Sequence, residues 1–129
     1  MSTLIEKLKQ NEDAIFGKGV SKRAVTAAEE QLKVTFSREF DEYLQRMGIL
    51  AVDGHEITGL LGSERVNVVE VTRHQREMNS NVYPNLYVIE ETNFDGIVIW
   101  QDEFGSVYKT KFNGQPKKIC SSIEEYLGL

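Results

Sequence analysis

The chain has 129 residues, 40% of them hydrophobic and 27% charged, and a net charge of −5. That length suits one domain that buries about two thirds of its unfolded surface without disulfide or metal staples. The acidic balance disfavours a nucleic-acid binder, and no apolar run approaches the ~20 residues of a membrane span.

Residues 2–13 are expected to form a first helix with Leu4, Ile5 and Leu8 on one face, ended by Gly17 and Gly19. This stretch lacks a basic region followed by an apolar block, so no secretory signal is expected. Cys120 is the single cysteine, which rules out an internal disulfide and favours a reducing, cytoplasmic setting.

Residues 20–49 read as two helices joined by a short extended link. Ala24, Val25, Ala28 and Leu32 recur at helical spacing, and Leu32, Val34 and Phe36 then alternate. Ser37 can cap the second helix, with Glu39, Asp41 and Glu42 near its positive end. Phe40, Tyr43, Leu44 and Met47 form its apolar stripe, and Gly48 suits a left-handed stop. Asp53-Gly54 marks a turn, and residues 57–61 read as a short strand.

Residues 66–78 are ambiguous. Four valines favour a strand, whereas Asn67 and Glu70 stand at capping-box spacing before a helix-tolerant run.

After Pro84 the pattern turns to strands. Residues 86–90 form the first, followed by the polar run EETNFDG. Four apolar residues from Ile97 to Trp100 suit a central strand covered on both faces, with Trp100 in the core. Asp102 to Gly105 is a turn. In the next strand Tyr108, Thr110 and Phe112 should share one face, opposite Val107, Lys109 and Lys111. Asn113-Gly114 signals a hairpin, because both residues tolerate positive φ. Pro116 opens an edge strand running to Cys120, guarded by Lys117 and Lys118. Ser122 and Glu125 form a capping box for a last helix in which Ile123, Tyr126 and Leu127 pack down. Helices first and a strand meander after them make an α+β domain spanning residues 1–129.

The order of these weak motifs resembles the SMI1/KNR4 (SUKH) superfamily. Glu29, Leu32, Phe36, Tyr43, Leu44 and Gly48 match its opening helices, and GIVIWQDEFGSVYKTKF and a closing IEEYL extend the match to the C-terminus. Lys33 stands where Gly is usual and Ser37 where Pro is usual; either Ser or Pro suits a helix start. The resemblance implies a twisted antiparallel sheet, of about four to six strands, flanked by N-terminal helices and a short C-terminal helix. It also favours a helix over residues 66–78.

No catalytic constellation is recognisable. His55-Glu56 opens like a zinc-protease motif, but Gly59 stands where the second histidine is needed. His74, with Arg73, Arg76 and Glu77, reads as the solvated face of a helix, and Cys120 as a small packed residue. The glycines form no phosphate loop. The acids in the loops flanking residues 97–100, namely Glu90, Glu91, Asp95, Asp102 and Glu103, are the candidate partner-binding set, joined by Asp53 and Glu56 from the preceding polar turn. Such a surface could dock on a basic cleft by charge complementarity.

A binding module is therefore expected rather than an enzyme, with no cofactor and no metal. The resemblance to the bacterial SUKH members implies an immunity protein that blocks a cognate toxin domain, often a nuclease. A regulatory scaffold with an endogenous partner is the alternative, and a hydrolase using His55 or His74 is a third reading.

Overall fold

The computed structural model describes residues 3–129. Helix α1 (Thr3–Gln10) buries Leu4, Ile5 and Leu8. It is shorter than the expected 2–13, because Asn11 turns the chain, its side chain accepting from Asp13 N at 2.8 Å; residue 2 lies outside the described residues. A two-residue strand β1 (Ile15–Phe16), which the sequence did not signal, follows.

Helices α2 (Lys22–Leu32) and α3 (Arg38–Arg46) are the expected pair. Ser21 and Ser37 cap them by accepting from Ala24 N and Phe40 N. Lys33 closes α2 in the left-handed region at φ 57°, so a lysine does there what glycine usually does. Gly48 takes φ 74° after α3.

Strands β2 (Leu50–Val52) and β3 (His55–Ile57) form a hairpin through Asp53-Gly54, with β1 on the outer side of β2. The strand expected at 57–61 is thus displaced. Beyond Ile57 the backbone bonds elsewhere: Leu60 N and Leu61 N both donate to Gly48 O, at 2.9 and 3.1 Å. A Cβ on Gly59 would sit 1.9 Å from that same carbonyl, so the crossing requires glycine. A single 3₁₀ turn (Glu64–Val66) leads into α4 (Val68–Met78). Asn67 caps α4 by accepting from Val69 N and Glu70 N, which settles the ambiguous segment as a helix.

The second sheet is an antiparallel meander, β4 (Tyr87–Glu91), β5 (Ile97–Gln101), β6 (Val107–Lys111) and β7 (Lys117–Cys120), followed by α5 (Ile123–Tyr126). Thr58 N donates to Ile89 O at 2.9 Å, so the three-stranded sheet sits beside β4. The main core lies between the helices and these sheets. A second, smaller one (Val71, Leu86, Val88, Val98, Trp100) covers the other face of β4 and β5. Strand β5 is therefore covered on both faces, as expected, and Trp100 is fully buried.

The β6–β7 connection differs from the expected Asn-Gly hairpin. Its left-handed residue is Phe112, at φ 53°, and the Phe112 ring leaves the Tyr108–Thr110 face for solvent. Tertiary contacts impose this: Asn79 Nδ2 donates to Phe112 O and Gly114 O, and Asn81 Nδ2 donates to Asn113 O.

Candidate functional site

The antiparallel meander divides the acidic residues between opposite ends of the sheet. Glu91 ends β4, and Asp95 lies in the β4–β5 loop. The Asp53-Gly54 turn and Glu56 lie at the same end, because Glu56 N bonds the Glu90 side chain. The β5–β6 loop, with Asp102 and Glu103, lies at the other end.

Two members of the set are interior residues, which corrects the expectation of a surface role. Glu90 is buried: Oε1 accepts from Tyr126 OH at 2.5 Å and lies 2.8 Å from His55 Nδ1, and Oε2 accepts from Glu56 N at 2.8 Å. It clamps β3 and α5 onto β4. Asp102 is also buried, accepting from Phe104 N, Ser106 N and Tyr108 OH to close the β5–β6 turn. The sequence shows a carboxylate in a loop; it does not show which amides fold back onto it.

The remaining members reach the surface. Asp53 occupies the β2–β3 turn at φ 49°. Glu56 receives both terminal nitrogens of Arg65, at 3.1 and 2.8 Å, which holds its carboxyl below the usual range. Asp95, at φ 55°, faces Lys111 across 3.8 Å. Glu91 is half-buried and accepts from Gln75 Nε2 at 2.5 Å. Glu103 is exposed.

Beside Glu91 and Asp95 stand three apolar side chains that the sequence did not single out. Phe94 is 67% exposed, Phe112 69% and Met78 59%. Met78 and Phe112 border a pocket of about 300 Å³ between the end of α4, the β4–β5 loop and the β6–β7 loop. Hydrogen bonds tie both loops down. Thr92 Oγ1 and Phe94 O both bond the backbone of Ile97, and the Asn79–Asn81 pair holds residues 112–114. The Phe112 ring lies against Gly96, where a Cβ would come within 2.5 Å of its carbons. A phenylalanine held at positive φ costs about 1–3 kcal/mol and persists only where its surroundings enforce it. Exposed aromatics on an enforced backbone, flanked by carboxylates, have the composition of a protein-docking surface. The one sequence signal was Phe94, an aromatic inside an otherwise polar turn.

A family described as SMI1-KNR4 cell-wall (SUKH_5) matches residues 1–128. The chain belongs to the SMI1/KNR4 (SUKH) family. No curated protein matches it.

This SMI1/KNR4 domain has a second, wider groove at the opposite end, lined in part by Arg38, Glu42, Glu103 and Phe104. Glu39 and Glu124 in its lining are committed to the fold. Glu39 accepts from Ile123 N, Glu124 N and Gln101 Nε2, and Glu124 bonds Thr3 and Lys7. Elsewhere His74 is exposed on α4. Arg76 is not the solvated residue expected: its guanidinium donates to Leu32 O, Pro84 O and Leu86 O. Cys120 packs half-buried beside the main core, and burial pushes its thiol up. Among the described residues, no helix is long and apolar enough to cross a membrane.

Proposed function

We propose that this SMI1/KNR4 protein is an immunity protein. It neutralises a cognate toxin domain, a nuclease, by stoichiometric binding in the cytoplasm, without catalysis and without a cofactor. The whole chain acts as one domain. The observation that carries this reading is the pair Phe94 and Phe112, exposed on tightly held loops beside Asp95 and Glu91. Aromatic anchors supply most of the affinity in such interfaces, and flanking charges set encounter rate and orientation.

The proposed contact set keeps Asp53, Glu56, Glu91 and Asp95 of the acidic residues. It omits Glu90 and Asp102, whose oxygens are used inside the fold, and Glu103, which belongs to the other end. Negative charge near a nuclease cleft would meet the lysines and arginines that hold phosphate.

The test is co-expression. The C-terminal domain of the protein encoded beside this chain is expressed alone and then with it. Collapse of growth alone, recovery together and co-purification in a fixed ratio are expected. Phe94→Ala or Phe112→Ala should each weaken the complex by about 2 kcal/mol or more. A harmless neighbour, or one that kills regardless, would overturn the immunity reading in favour of a regulatory scaffold. Full protection by the double alanine variant would remove this face from the mechanism.

A further inference from the structure

The pocket behind Phe112 is suited to a single side chain rather than to a flat surface. It encloses about 300 Å³, its apolar wall is Met78, Ile97, Val98 and Phe112, and the one charged residue in its lining is Glu91. Among the described residues Glu91 accepts one hydrogen bond, from the neutral Gln75, through Oε2. Arg65, whose charge also interacts with that of Glu91, directs its fork onto Glu56, and Lys111 lies 3.8 Å from Asp95. A half-buried carboxylate against apolar side chains, with no cation hydrogen-bonded to it among the described residues, favours a positive group that brings its own apolar stem.

We propose that this pocket receives an arginine side chain from the protein partner. The methylene stem lies on Met78 and Val98, the guanidinium plane faces the Phe112 ring, and its N–H groups donate to Glu91. Arginine suits this arrangement better than lysine, because its planar, weakly hydrated fork both stacks on an aromatic face and bonds a carboxylate along two directions. The strained Phe112 backbone then has a purpose, since it holds the ring in the pocket lining, against Gly96. That the arginine comes from a toxin rests on the immunity reading; the chemistry of the pocket does not.

The test needs no toxin. The intact chain is titrated with N-acetyl-arginine amide and, separately, with its neutral isostere N-acetyl-citrulline amide, while NMR follows the Gly96 amide, the Met78 methyl and the Phe112 ring. Saturable shifts at all three with the arginine compound, and none with citrulline, are expected. Glu91→Gln keeps a partner for Gln75 and should weaken binding at least about tenfold, the loss typical of one charge-assisted hydrogen bond. Phe112→Leu, checked for an unchanged amide spectrum, should weaken it as well. Equal response to citrulline, no response at these three groups, or unchanged binding in Glu91→Gln would each overturn the proposal. Arginine binding without rescue by co-expression would sink the immunity reading alone, and rescue without arginine binding would sink this inference alone.

Discussion

Trp100 Nε1 donates to Thr110 Oγ1 at 2.9 Å, between two buried residues on neighbouring strands. The strand pattern assigned Trp100 to the core, and the indole N–H then needs an acceptor inside it. Thr110→Val preserves shape and β-branching but removes that acceptor. It should cost about 1–3 kcal/mol, the desolvation penalty of a stranded donor, read as a lower urea midpoint at unchanged slope. An unchanged midpoint would mean that the indole finds water. Tyr87 does similar work on the opposite face, its hydroxyl accepting from Ser37 N and donating to Gln101 Oε1 at 2.8 Å. Its ring meets Phe36 and Phe40 at 4.8 and 5.1 Å, so one tyrosine joins the N-terminus of α3 to β4 and β5.

At the scale of elements, α5 is too short to stand by its own propensity, since isolated helices need several turns to be stable. It is held from outside. Ser122 Oγ accepts from Glu125 N as its sequence spacing predicts, but Glu125 returns to Ser121 N rather than to Ser122 N. The other orphan donors, Ile123 N and Glu124 N, are taken by Glu39 on α3, at 2.7 and 3.1 Å. Glu39→Ala should therefore loosen α5 selectively. The expected result is a loss of about 1–2 kcal/mol, comparable to losing a helix cap, with faster amide exchange in residues 123–127 and little change in α2. Uniform acceleration across the chain would show that α5 opens only with the whole fold.

At the scale of the molecule, three phenols report on the fold together. Burial raises the Tyr43, Tyr87 and Tyr126 hydroxyls well above the ordinary 10.0, with Glu90 adding to the rise at Tyr126. A raised folded value means that the stabilisation is complete below the unfolded value and is lost as pH climbs towards the folded one. The contribution of these three phenols should stay level up to about pH 10 and fall steeply above it. Tyrosinate absorbance from these residues should then appear together with loss of the far-ultraviolet signal, in one transition. Ionisation of all three while the fold persists would refute this, and two separate transitions would refute a single cooperative domain.

The sequence by itself determined where most elements lie. Helical spacing located α2 and α3, Ser37 marks the start of α3, and the apolar run at 97–100 identified the central strand. These are short-range signals, set by side-chain periodicity and by backbone groups within a few residues of each other. What sequence could not decide depended on partners far along the chain. β1 and β2 are too short for their own pattern and exist through pairing, and the segment after Ile57 follows the Gly48 carbonyl rather than its own strand propensity. Glu90 and Asp102 resemble their surface neighbours in sequence, yet distant amides and hydroxyls draw them inside. Phe112 alternates as an inward residue, but Asn79, 33 positions earlier, turns its backbone and sends the ring to solvent. The exposed face was decided only in three dimensions, because a side chain's exposure depends on which distant groups bind its backbone.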